Sequence, residues 1–180
     1  ENFRCLTPLR FGGNALTPLY GLQGEQKQRY LDPLIDGRKR ACFAQTEPGG
    51  GGDPARAVAT HARRDGDGWV INGAKIWISS FEDADLVFVL ARTDKEKGAN
   101  GISMFAVDTT NPGLVAREVP MLGGFKTHQL TFADCRVDAL AMIGGEGAGF
   151  KGAQQALSAA RFDVAARGLA VAQRAYEMMV

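Results

Sequence analysis

Cysteine and histidine are too few and too scattered to build a metal centre or a disulfide framework. The three cysteines, Cys5, Cys42 and Cys135, lie far apart with no C-x-x-C spacing. Isolated thiols in odd number point to reduced cysteines in a cytosol-like compartment. His61 and His128 have no cluster of Cys, His or acidic residues around them, so no metal site is expected. A dominant charge sign is also missing: 21 Lys and Arg face 20 Asp and Glu, a net charge of +1 spread along the chain. Without a basic stripe, no nucleic-acid surface is expected. Apolar runs stop well short of the ~18 residues that cross a bilayer, so no membrane span is expected either. No signal or transit segment is visible.

What is present suffices for a globular core. The 180 residues are 45% hydrophobic and 23% charged, which fits one large or two small domains. The 23 glycines cluster instead of repeating, so a collagen-like fibre is excluded. The first residue is Glu1, and Arg174 to Val180 still follows a helical pattern with no stop signal. The chain therefore reads as cut at both ends.

Residues 1–40 read as helix and loop, the end of an N-terminal helical domain. Pro8, Pro18 and Gly12-Gly13-Asn14 break the early part. Gly24 opens a helix in which Tyr30, Leu31, Leu34 and Ile35 share one face; Pro33 kinks or ends it, and Asp36-Gly37 stops it. Residues 41–144 read as a β-domain. Strands are expected at Cys42 to Gln45, Val58 to Arg64, Leu86 to Ala91, Ile102 to Val107, Val115 to Val119 and Gln129 to Phe132. Asn72-Gly73, between Trp69-Val70-Ile71 and Ala74 to Ser79, predicts a tight hairpin. Such spacing argues an antiparallel barrel or sandwich. Residues 145–180 read as the start of a C-terminal helical bundle, with Phe150, Ala153, Leu157, Arg161 and further residues to Met179 along one stripe. The fold class is α+β.

Two glycine clusters invite a nucleotide reading. Thr46-Glu47-Pro48-Gly49-Gly50-Gly51-Gly52-Asp53 lacks the Gly-Lys-Ser/Thr ending of a phosphate-binding P-loop. A flexible loop and a loop whose bare backbone approaches an anionic or planar ligand both remain open for it. Gly145-Glu146-Gly147-Ala148-Gly149 has Phe150 where a dinucleotide fingerprint needs its third glycine, and no second strand follows. Its glycines are expected to make a tight crossing into the last helix.

Several stretches together resemble the acyl-CoA dehydrogenase family. They are Phe43-Ala44-Gln45-Thr46-Glu47-Pro48-Gly49, the run from Asp65 through Trp69 and Asn72-Gly73-Ala74-Lys75 to Trp77-Ile78-Ser79, Phe132 to Val137, and Gly144 to Phe150. The helix with its Tyr-Leu-x-Pro-Leu core before the β-domain is similar too. The resemblance covers nearly all of residues 20–180 in the family's order. It implies a helical N-terminal domain, a middle β-domain and a C-terminal helical domain, with FAD held between the last two. By that resemblance Phe43, Gln45, Thr46, Gly51, Gly52, Trp77, Ile78 and Ser79 are cofactor-binding. Thr46 would meet the pyrimidine side, Trp77 the ring face and Ser79 the N5 region, where stabilised charge favours hydride acceptance. Gly52, Ser158 and Arg161 would be substrate-binding. Glu47 is read as structural.

The resemblance further implies α,β-dehydrogenation of an acyl-CoA, with hydride transfer to flavin N5 and electrons leaving to an electron-transfer flavoprotein. The catalytic base is expected beyond Val180; Ala160 removes the route in which some members take it from that position. The 180 residues alone are therefore expected to bind FAD weakly and to be inactive. A homo-oligomer, dimer or tetramer, is implied, in the cytoplasm of a bacterium or in a mitochondrial matrix, with a role in fatty acid metabolism. Departures bear on substrate choice: Gly52 stands for the usual Ser, Met121 to Thr127 lacks the usual Arg and Ser, and Asp138 replaces a Pro. Alternatives are a nitroalkane oxidase-like or hydroxylase-like flavoenzyme, or a truncated non-catalytic binding module.

Overall fold

The computed structural model describes residues 17–122 and 126–179. Cys5, the early breakers Pro8 and Gly12 to Asn14, and Gly123 to Phe125 of the altered loop lie outside the described residues.

A short helical segment comes first. Gly24–Gln26 (α1), a π-helical turn at Lys27–Leu31 and Asp32–Ile35 (α2) follow one another without a break. Pro33 follows directly on the π-helical turn, whose widened register makes room for a ring that carries no N–H. The widened turn just before it ends the register that a straight helix would keep. Tyr30, Leu31 and Leu34 are buried as expected, but Ile35 is exposed. The Gln26 amide donates to the carbonyls of Leu140 and Met142, at 2.8 and 2.7 Å, and so anchors this segment to the far end of the β-region.

Eight strands follow: Ala41–Ala44 (β1), His61–Asp65 (β2), Gly68–Ser79 (β3), Leu86–Arg92 (β4), Ile102–Asp108 (β5), Leu114–Pro120 (β6), Lys126–Val137 (β7) and Met142–Ile143 (β8). The sheet runs β6-β7-β3-β2-β4-β5-β8, with β1 also on β4. Pairing is mostly antiparallel, as expected, but β1 and β2 both meet β4 in parallel. The sheet is not closed into a barrel: β6 and β8 are its ends. It folds on itself as a sandwich instead. β2 is the crease, since it pairs with β3 throughout and with β4 only at His61↔Arg92.

The apolar runs of β4 and β5 explain this shape. Leu86, Phe88 and Leu90 with Ile102, Met104 and Ala106 face the helices and meet Tyr30, Leu31 and Leu34. Val87, Val89 and Ala91 with Phe105 and Val107 face the other half of the sheet and meet Ile71, Ile78, Leu130 and Phe132. A strand without polar alternation must be covered on both faces. Trp69 closes the inner layer edge-on to Phe105, with ring centres 5.4 Å apart.

Asn72-Gly73 does not make a hairpin. β3 runs straight through it, and the two-residue turn lies at Gly66-Asp67, with Gly66 at φ 61°. Asn72 instead bridges to β7: its carbonyl accepts from the Asp134 N–H at 2.8 Å and its amide donates to the Asp134 carboxylate at 3.2 Å. β7 carries an extra residue opposite, a bulge with Asp134 at φ 46°. Gly73 is required by approach, because a Cβ there would lie 2.6 Å from the Thr60 Cα.

The glycines of 144–149 make the crossing into Gly149–Met179 (α4), as the sequence suggests. A Cβ on Gly147 would meet the Asn100 carbonyl at 2.2 Å, and one on Gly149 the Met104 N at 2.4 Å. Only the first turns of α4 are buried, at Ala153 and Ala156; the apolar stripe beyond them is exposed. Among the described residues no helix is long and apolar enough to cross a membrane.

Candidate functional site

The second half of β3 is irregular where the sequence places its flavin motif. Register slips between Lys75↔Leu130 and Ile78↔His128, so β3 carries one extra residue there. Trp77 takes the left-handed conformation, φ 61°, and is 52% exposed. A bulky aromatic in that region is an outlier, and such outliers concentrate at functional sites. Ser80 is left-handed too, φ 60°. Between them Ile78 is buried in the inner layer and Ser79 is exposed.

Thr46 comes to this bulge across the chain: its carbonyl accepts from the Ile76 N–H at 2.9 Å. Thr46, Trp77 and Ser79 thus lie on two abutting segments, each exposed. Of the other expected cofactor residues, Ile78 turns its side chain into the core, leaving only its backbone for a ligand. Phe43 packs half-buried against the helix-facing core. Gln45 keeps a buried Oε1 with no hydrogen-bond partner, next to a cavity of about 60 Å³ beneath the glycine loop.

That loop is fixed at its neck and bare at its tip. Glu47 is 6% exposed, and its carboxylate accepts from the Ala59 and Thr60 N–H groups at 2.8 and 2.9 Å. The Lys75 ammonium, 0% exposed, lies 2.8 Å from it and donates also to the Gln45 carbonyl at 3.1 Å. Arg92 holds the outer side, donating to the carbonyls of Val58, Gly98 and Ala55. Pro54–Ala57 (α3) is capped by Asp53, which accepts from the Arg56 N–H. At the tip, a Cβ on Gly49, Gly51 or Gly52 would touch nothing within 4 Å, so the chain's own packing does not demand glycine there. An open groove of about 670 Å³ borders the loop, with Arg56, His61, Arg92 and Lys95 in its lining.

The electrostatics of the neck are two-sided. Burial works against a charged Glu47, but the nearby Lys75 charge, its hydrogen bond and those from Thr60 and Ala59 outweigh it and hold the carboxyl low. Burial also dominates at Lys75 and lowers its ammonium to about 8 despite Glu47. The thiols of Cys42 and Cys135 are free and buried, pushed by burial up to about 12 and about 11, which leaves them inert. No group of His, Cys, Asp and Glu able to hold a metal occurs among the described residues.

Ser158 and Arg161 belong to the last helix and not to the strand segments that carry this bulge. They lie on α4, exposed, beyond turns that pack on β5 and Pro18. Ser158 Oγ donates to the Gln154 carbonyl at 2.9 Å. The sequence reading missed the roles of Lys75 and Arg92. A charged residue at an inward strand position, within a motif already quoted, was the available signal for Lys75.

Thr46 and Ser79 hydroxyls, an exposed indole, bare loop backbone and an unpaired buried acceptor at Gln45 form a set that suits a planar ring with a hydrogen-bonding edge. Residues 42–135 match the sequence model described as "Acyl-CoA dehydrogenase, middle domain". The mitochondrial short-chain specific acyl-CoA dehydrogenase of Homo sapiens is 42% identical over 159 residues, 87% of this chain and 38% of that protein. The structure of butyryl-CoA dehydrogenase from Megasphaera elsdenii superposes with a TM-score of 0.79 at 37% identity, covering 87% of this chain and 42% of that one. A glutaryl-CoA dehydrogenase from Mycobacterium smegmatis, solved in complex with FADH2, gives a TM-score of 0.70 at 34% identity, covering 82% and 38%. The chain thus spans 38% of the human relative's length.

Proposed function

The chain belongs to the acyl-CoA dehydrogenase family, and from that premise we propose that it supplies the flavin-binding middle of an FAD-dependent acyl-CoA dehydrogenase. Residues 41–144 form the flavin-binding domain, 1–40 end a helical domain before it and 145–180 begin one after it. Bound FAD supplies the two-electron acceptor for α,β-dehydrogenation of an acyl-CoA thioester. Trp77 lies against the ring face, while Thr46, Ser79, Gln45 and the backbone of Ile78, Gly51 and Gly52 serve its polar edge. Phe43 supports this wall from the core side. Gly52, Ser158 and Arg161 meet the thioester substrate, and the base that takes the α-proton stands outside these 180 residues.

The observation that carries this reading is the left-handed, exposed Trp77 held beside Thr46 by the Ile76–Thr46 hydrogen bond. We infer further that electrons leave to an electron-transfer flavoprotein, and that the protein acts in fatty acid metabolism as a homo-oligomer, dimer or tetramer. It does so in a bacterial cytoplasm or a mitochondrial matrix. The test is FAD titration of the full-length protein and its Trp77→Ala and Ser79→Ala variants, followed by assay against short acyl-CoAs. Trp77→Ala is expected to weaken FAD binding by roughly 1–2 kcal/mol, the scale of one lost aromatic contact. Failure of the wild-type protein to take up FAD would defeat the proposal.

A further inference from the structure

Among the described residues, Lys75 is the only charged side chain of the largest fully buried group, 0% exposed, and its partner Glu47 is 6% exposed. Stability is weak grounds for keeping such a pair, because a well-packed apolar pair of similar volume often does as well or better. What an apolar pair lacks is direction. Glu47 follows Thr46 in the chain, and Lys75 precedes the Ile76-Trp77 bulge. Glu47 Oε1 accepts from Lys75 Nζ at 2.8 Å and from the Thr60 N–H at 2.9 Å, while Oε2 accepts from the Ala59 N–H at 2.8 Å. Lys75 Nζ donates also to the Gln45 carbonyl at 3.1 Å. One carboxylate and one ammonium therefore tie together the end of β1, both sides of the glycine-loop neck and the strand that carries Trp77.

We propose that Glu47 and Lys75 are positioning residues of the flavin site, setting the spacing between the glycine loop with Thr46 on one side and the Trp77 bulge on the other. The proposal rests on the flavin reading above. Neither side chain touches the ring; each acts by fixing the backbone that does. Closing residues 48–58 at the neck leaves the bare tip free to adapt while its base stays in register with β3. A site displaced by about 1 Å can lose roughly a hundredfold in effectiveness, so a directional brace has a use that core packing does not supply.

The experiment compares full-length wild-type protein with the E47Q/K75M double variant, which removes both charges at nearly constant volume. Wild-type protein that binds no FAD defeats the flavin reading itself, separately from the brace. If wild type binds, the double variant is expected to keep a cooperative unfolding transition yet bind FAD at least roughly tenfold more weakly. The resolved fine structure of its bound-flavin absorption should blur. In the apo form, amide exchange across 48–60 and at Ile76 should accelerate while the β4 and β5 amides stay protected. Affinity within twofold of wild type, with unchanged spectrum and exchange, overturns the proposal. Should the double variant fail to fold, Glu47→Asp decides: it keeps both charges but draws the neck in by one methylene. Weakened FAD binding in that folded variant supports the brace, and wild-type affinity overturns it.

Discussion

Glycine has two different reasons to be present in this chain, and single substitutions separate them. At Gly73 the backbone has φ 146° and a Cβ would collide with Thr60. Gly73→Ala is therefore expected to cost about 2–4 kcal/mol in urea-measured stability. At Gly51 nothing lies within 4 Å of the same added atom. Gly51→Ala should leave stability within about 0.5 kcal/mol and lower FAD affinity alone. Glu47 makes a pH prediction at the same scale. Lys75 and the hydrogen bonds at the neck hold its carboxyl below the ordinary value, so the unfolded state binds the proton first. Its contribution is then complete above the ordinary carboxylate pKa of about 4.3 and fades as pH falls through the lower folded value. The stability difference between wild type and Glu47→Gln, followed by urea titration, should shrink as the solution is acidified below that point. A gap that stays constant down to pH 2 or so would show that Glu47 carries no such linkage.

Among the elements, β4 is the one whose sequence pattern and environment agree most closely. Its apolar run has no polar face, and it is covered by helices on one side and by the inner sandwich layer on the other. Phe88→Ala and Val89→Ala empty space on opposite faces. The phenylalanine change should cost about 3–5 kcal/mol, because the site closes poorly around a lost ring. β6 is the contrast: an edge strand with Val115 exposed, Arg117 and Glu118 outward and Pro120 at its end. Charged outward side chains and a terminal proline discourage strand addition. Val115→Lys should change the unfolding midpoint very little and leave the oligomeric state unaltered.

Seen whole, the molecule presents an uncovered helix beside an otherwise complete sandwich. α4 exposes Phe162 at 81% and Leu169 at 73%, with Val171, Met178 and Met179 further along. At about 3.6 residues per turn Phe162 and Leu169 share one face while Val171 and Met178 lie on the opposite one, and a helix that is apolar on more than one face is one that other protein covers. The 180 residues alone are expected to associate as concentration rises, and Phe162→Glu with Leu169→Glu should suppress that in light scattering. The same isolated chain should bind FAD weakly and turn over no acyl-CoA, since the base is proposed to lie elsewhere. Stoichiometric, tight FAD uptake with turnover by this piece would reject that division of labour.

The sequence by itself determined the element types, the α-β-α order, the strands that are apolar throughout and the family. Each of these follows from local pattern: periodicity, turn chemistry, or short motifs in fixed order. Tertiary structure decided the rest. Asn72-Gly73 has the local chemistry of a hairpin, but Asp134 and Thr60 on neighbouring strands hold it as one side of a bulge. The parallel partners of β4 and the open sandwich come from long-range pairing that no local pattern encodes. Lys75 reads as an ordinary strand lysine until the fold closes over it. Residues 28 positions apart then become an ion pair, because only folding removes the water that would otherwise solvate both charges.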